Sequence, residues 1–256
     1  MLLYGWVSAE LLLGAALIGA GIGLLSGAFG KGGSALATPL LHVIGVPAIV
    51  AVASPLPATI PTTLLASRVY ARERCVDGRV FRLALAAGIP ATIVGAVSTR
   101  WIPGGGLIVA TDMLVLVLGM RVLLRPHDAN AAAVAVHSSV TRITVIAGVV
   151  GIVSGLLGNS GGFLLAPLFM TGLGMPVRRA LGTSLAVSAV LAVPGTVVHA
   201  WLGHIDWSLT LAFGLASVLL ANVGARLALR LRERALTLSY GFGLTALAGG
   251  LLLFAR

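Results

Sequence analysis

The chain has 256 residues, 58% of them hydrophobic and 9% charged, whereas a soluble domain carries about 25% charged residues. That composition excludes an ordinary soluble enzyme and leaves no segment long enough for a catalytic domain outside a membrane. The formal net charge of +10 would suit a nucleic-acid partner in a soluble protein, but here the arginines cluster between apolar runs. They therefore set membrane orientation, and no nucleic-acid partner is expected.

The first apolar run covers residues 11–29. Gly14, Gly19, Gly23 and Gly27 recur about every four residues and flatten one helix face for close packing. A glycine-rich break follows at 26–34, Ser26-Gly27-Ala28-Phe29-Gly30-Lys31-Gly32-Gly33-Ser34. The apolar piece at 34–45 is too short to span, since a span needs about 20 residues. Residues 48–67 are apolar but carry Pro55, Pro57 and Pro61, which predict a kinked or broken helix. An arginine-rich loop occupies 68–82. Spans are predicted at 83–99, with Pro90 as a kink, and at 106–120, and a polar loop leads to Arg142.

The second half repeats this order. An apolar run at 143–158 leads into a second break at 154–162, Ser154-Gly155-Leu156-Leu157-Gly158-Asn159-Ser160-Gly161-Gly162. Ser26, Gly27, Gly30, Gly33, Leu36, Pro39 and Leu40 all meet identical residues 128 positions later. A short piece at 162–173 follows, then spans at 180–198, 207–225 and 235–254, and Asp206 matches Asp77 at a spacing of 129. The domains are therefore a first repeat at 1–125, a connecting loop at 126–142 and a second repeat at 143–256. The first twenty residues lack a basic n-region, so no cleaved signal peptide is expected.

Arginine placement selects a topology. If each half holds four simple spans, the two sides of the membrane carry nine and seven arginines, which is no bias. If each break turns the chain back, fourteen fall on one side and only Arg100 and Arg256 on the other. The second arrangement satisfies the positive-inside rule. The fold class is then all-α and polytopic, with about eight full spans. Its two homologous halves are inverted repeats, each with a broken helix or re-entrant glycine hairpin. The termini lie outside and the arginine-rich loops in the cytoplasm. Inverted repeats with broken helices are a recurring design of secondary transporters.

Helices starting at Ser34 and Gly162 present unpaired N–H groups and the positive end of a helix dipole, which suits a small anion. The candidate substrate-binding residues are Ser26, Gly30, Lys31, Gly32, Gly33 and Ser34 at the first break. At the second they are Gly158, Asn159, Ser160, Gly161 and Gly162, with Thr183 and Ser184 as further liners. Lys31 is the chain's one lysine, and an ionisable side chain at membrane depth is a functional candidate. Asp112 and His42 are weaker candidates for proton coupling; a hydrogen-bonded structural role suits His42 better. His199, His204 and Asp206 are metal-ligand residue types but fall on a turn expected to be solvated. No spacing matches a zinc site, one cysteine, Cys75, excludes an internal disulfide, and neither a metal nor a cofactor is expected.

The repeated glycine motifs, the prolines at Pro39 and Pro167, Gly182-Thr183-Ser184, and the run from His199 to Trp207 resemble the sulfite exporter TauE/SafE family over roughly 12–254. The resemblance implies a carrier of the bacterial inner membrane for sulfite, sulfonates or other small sulfur-containing anions. Lys31 stands at a variable position of that motif, and Ser54 to Pro61 departs from its first-half pattern. The expected function is secondary transport of a small anion by alternating access around the two breaks. A carrier of metal cations or uncharged solutes, or a membrane assembly factor without transport, is the alternative. Glycine-lined faces would permit a homodimer.

Overall fold

The computed structural model describes residues 8–29, 34–101, 139–158 and 160–232, together with 113, 116, 117, 120, 235, 238, 242 and 245; for 34–36 and 100 it describes the backbone alone. The spans expected at 106–120 and 235–254 therefore lie largely outside the described residues, as do Asp112, Gly30 to Gly33 and Asn159.

In chain order the elements are α1 (Ala9–Phe29), α2 (Ser34–Val43), α3 (Ala48–Ala53), α4 (Pro55–Arg72) and α5 (Gly78–Ser98), which ends in a 3-10 turn at Thr99–Trp101. Then come α6 (Val140–Leu156), α7 (Gly162–Leu173), α8 (Val177–Trp201) and α9 (Trp207–Arg230). No strand occurs among the described residues. Among the described residues, five helical stretches are long and apolar enough to cross a membrane: Ala9–Phe29, Ala48–Arg72, Gly78–Ser98, Val177–Trp201 and Trp207–Arg230. The protein is thus an all-helical polytopic membrane protein. Leu211, Leu215 and Leu219 on α9 are 61%, 69% and 73% exposed, an apolar stripe that only lipid or another apolar surface can cover.

The prolines divide 48–67 into α3 and α4, as their spacing predicts, but leave the stretch continuous. Pro55 and Pro57 fall in the first turn of α4, where an N–H has no intrahelical partner to lose. Ser54, between α3 and α4, keeps right-handed helical dihedrals (φ −64°, ψ −31°), so Ala48–Arg72 stays one apolar stretch. Pro90 and Pro194 lie inside the unbroken helices α5 and α8. Thr59, Thr62 and Thr63 on α4 each donate to the carbonyl four residues back, a local bond that satisfies a hydroxyl inside a helix.

Glycines set the helix pairs. A Cβ on Gly19, Gly23 or Gly27 of α1 would run into the backbone of Phe213, Ser217 or Ala221 of α9. On α6, a Cβ on Gly151 would meet Gly88 of α5, and one on Gly155 would meet Thr92. These are matching contacts. Gly23 and Gly151 are 128 apart, and Gly88 and Ser217 are 129 apart. Gly224 against Leu24 is likewise matched by Gly95 against Ile152. In each case the helix before the break packs on the last described helix of the other half, backbone to backbone.

The order of the contacts gives helix directions. Rising numbers on α1 meet rising numbers on α9, so these two run parallel; so do α6 and α5. Ser54, Ala58 and Thr62 of the α3–α4 stretch meet Thr210, Gly214 and Ser217 of α9, again in parallel. By contrast, Leu56 lies against Gly195 and Tyr70 against Gly182, so α4 and α8 run opposite ways. The helices that follow the breaks retrace their predecessors. Gly161 lies against Ser154 and Val150, and Gly172 against Ile146.

These directions bring Arg68 to Arg82, Arg142, Arg178, Arg179 and Arg226 to Arg232 to one end of the bundle. There Arg179 pairs with Asp77 at 2.9 Å, and Arg178 donates to the Leu231 carbonyl at 2.8 Å. Trp101, Trp201 and Trp207 fall at the other end, all exposed. A membrane protein with a basic face and an aromatic belt has this arrangement.

Candidate functional site

The second break is the better described of the two. Gly158 and Gly161 hold left-handed backbone, φ +55° and +72°, a conformation that glycine adopts without Cβ strain. The turn between them reverses the chain, and α7 begins at Gly162 beside Ser154 on α6. Gly151, one turn before Ser154, meets Gly88, and Gly88 meets Leu191. Gly88 is the midpoint of α5 (Gly78–Ser98), so α7 starts in the middle layer of the bundle.

Two hydroxyls face this start with nothing to bond. Ser154 Oγ and Ser160 Oγ are buried and without partner, and both residues are 0% exposed. A buried hydroxyl left unpaired is unfavourable by about 1–3 kcal/mol, so such groups point to an absent partner or a functional requirement. Around them α7 is sealed: Phe163, Leu165 and Phe169 are buried in the larger apolar core with Leu181 and Leu185 of α8. The arrangement combines a helix N-terminus, with its partial positive charge, and two orphan donors in a dry surround. A helix N-terminus of this kind carries partial positive charge.

The other predicted residues lie as follows. Ser26 is buried near the end of α1. Ser34 opens α2. Thr183 Oγ1 accepts the Asp77 backbone N–H at 2.9 Å, and Ser184 Oγ donates to the Leu181 carbonyl; both are fully buried. His42 Nδ1–H donates to the Val46 carbonyl at 2.9 Å and is exposed at the end of α2. The turn expected to be solvated is not. His199 is 0% and Asp206 4% exposed, because Asp206 caps α9 by accepting from Leu209 N–H and His199 turns inward to α6.

Tyr70 carries no sequence motif, yet it matches His199 in position and in bonding. Tyr70 OH donates to the carbonyl of Ala28 at 3.1 Å, and the Gly27 carbonyl lies at 3.4 Å. His199 Nε2–H donates to the Gly155 carbonyl at 3.3 Å. Tyr70 and His199 are 129 apart, Gly27 and Gly155 128 apart. A side chain from the central helix of each half therefore ties the end of the helix that enters the break. The carbonyl fixes the proton on His199 Nε2, so its Nδ1 accepts from His204 Nδ1–H, 3.2 Å away. The repeat spacing, applied to Tyr70, was the available signal.

The described residues form a polytopic, all-helical membrane protein, an architecture that membrane carriers use. The chain matches the model of the sulfite exporter TauE/SafE family over residues 15–253, and it belongs to that family of membrane transporters. It is 29% identical over 241 residues to a "Probable membrane transporter protein" of Xylella fastidiosa strain 9a5c, covering 91% of this chain and 89% of the relative. It is 27% identical over 241 residues to "Probable membrane transporter protein YdhB" of Bacillus subtilis strain 168, covering 91% of this chain and 96% of the relative. No solved structure matches the chain.

Proposed function

We propose that this transporter carries a small anion, sulfite or an organosulfonate, across the bacterial inner membrane by alternating access of two inverted halves. The observation that carries the anion reading is the pair of unpartnered hydroxyls, Ser154 and Ser160, at the start of α7. A helix start attracts negative charge, and hydroxyl donors complete the shell of an oxyanion. Lys31 would add a full positive charge at the first break. The inverted arrangement is supported by α4 and α8, counterparts in the two halves that run in opposite directions. The positive-inside rule supports a cytoplasmic arginine-rich end. Transport of metal cations is disfavoured by Lys31, which repels them directly.

Thermal stability of the purified protein against a panel of ions tests this. A ligand at about 100 times its dissociation constant stabilises by roughly 2.7 kcal/mol. Stabilisation by sulfite or an organosulfonate, lost in Ser160→Ala, is expected. Stabilisation by a divalent cation or an uncharged solute alone contradicts the reading.

A further inference from the structure

At the arginine-rich end, a cavity of about 500 Å³ is lined by Arg72 of α4, Arg178 of α8, Arg226 and Arg230 of α9, and by Glu73 and Cys75. Its charged lining residues are four arginines and one glutamate. The positive-inside rule accounts for arginines at this end but not for their convergence on one cavity. Arg68, Arg79 and Arg82 lie at the same end and do not line it.

The convergence is built by the fold. Arg226 and Arg230 are four apart and share a face of α9, and α4 runs parallel to α9 and delivers Arg72. Arg178 is held across the mouth by its bond to the Leu231 carbonyl, while its Nε is buried without a partner. Among the described residues the only ion pair is Arg179 with Asp77, and none of the four lining arginines is ion-paired there. Guanidinium groups bind tetrahedral oxyanions through paired N–H donors.

We propose that this cavity is a second oxyanion-binding site, distinct from the second break, for a sulfonate, sulfate or phosphate group. It shares no lining residue with the second break and does not rest on the transport reading. The group can arrive free from the cytoplasm or as the phosphate of an anionic lipid headgroup.

The test uses inorganic sulfate as probe, titrated calorimetrically at low salt into protein held in phosphatidylcholine nanodiscs, with and without phosphatidylglycerol. Sulfate binding is expected to weaken by about tenfold or more in Arg226→Gln/Arg230→Gln, as fits the loss of charge-assisted bonds. It should persist in Arg68→Gln/Arg79→Gln, which removes the same formal charge nearby. Sulfate binding unaffected by phosphatidylglycerol identifies a free oxyanion. Displacement of sulfate by phosphatidylglycerol, with that lipid retained by wild type and lost from the basin variant in native mass spectrometry, identifies a headgroup. Should the double Gln variant not fold, Arg230→Lys keeps the charge and loses the fork, and weaker binding is expected there too. Neither sulfate nor lipid bound differently by wild type and basin variants, or equal loss in the Arg68/Arg79 control, overturns the proposal.

Discussion

The backbone N–H of Asp77 donates to Thr183 Oγ1 at 2.9 Å, joining the start of α5 to the start of α8. At a spacing of 129, the Asp206 N–H donates to Ser54 Oγ at the same distance. Each aspartate also caps the helix it precedes, so one hydroxyl of each half locks a turn of the other. Removing either hydroxyl leaves a buried amide unsatisfied, which costs about 1–3 kcal/mol. Thr183→Val and Ser54→Ala should therefore lower the melting temperature by similar amounts. Thr183→Val, if it remains folded, should keep its sulfite affinity when the hydroxyl serves the turn alone. Loss of binding without loss of stability would instead place Thr183 on the substrate path.

Gly23 and Gly21 differ by two positions and by everything around them. A Cβ at Gly23 would enter the Ser217 backbone, whereas a Cβ at Gly21 meets nothing within 4 Å. Gly23→Ala should destabilise by about 1–3 kcal/mol or more through overpacking. Gly21→Ala should be neutral or slightly stabilising, since alanine is the better helix former. Unfolding of purified variants in detergent distinguishes them.

His204 lies on the Leu202–Asp206 turn outside the spanning helices, and burial pulls its pKa below the usual histidine range. The unfolded chain then binds a proton there more readily than the folded one. Its contribution to stability is complete above about pH 6.5 and declines as pH falls toward the lowered folded value. Melting temperature should drop on acidification below about pH 6.5, and His204→Asn should flatten that drop. An unchanged profile in the variant would remove His204 from the account.

Cys75, the chain's one cysteine, sits at the arginine-rich end and is half-buried. A membrane-impermeant maleimide should label it in inside-out vesicles and not in intact cells. Trp101→Cys in a Cys75→Ser background should show the reverse, since Trp101 is 74% exposed at the opposite end. The opposite pattern would invert the assigned orientation.

Ser26, Gly27, Gly30 and Gly33 return in the same order 128 positions later, and the gathering of arginines at one end followed from counting charges. The short pieces after each break were legible by length alone. The prolines marked the division of 48–67 into α3 and α4 at Ser54, while the fall of Pro55 and Pro57 in a first turn, where the missing N–H is harmless, kept Ala48–Arg72 one apolar stretch. The turn from His199 to Asp206 misled. Polar residue types suggested water, but Asp206 caps α9, His199 donates to the Gly155 carbonyl and His204 bonds the His199 ring. Ser154 gave no separate signal, since an unpaired hydroxyl is a property of packing and not of spacing. The arginine basin likewise depends on α4, α8 and α9 ending together.

The most direct measurement is flux of radiolabelled sulfite across proteoliposomes containing the purified protein, for wild type and Ser160→Ala at matched incorporation. The account predicts saturable flux that empty liposomes lack and that Ser160→Ala reduces by about tenfold, as expected for one lost hydrogen bond to a charged ligand. No flux of sulfite or any organosulfonate, with saturable flux of a cation or an uncharged solute, would contradict it.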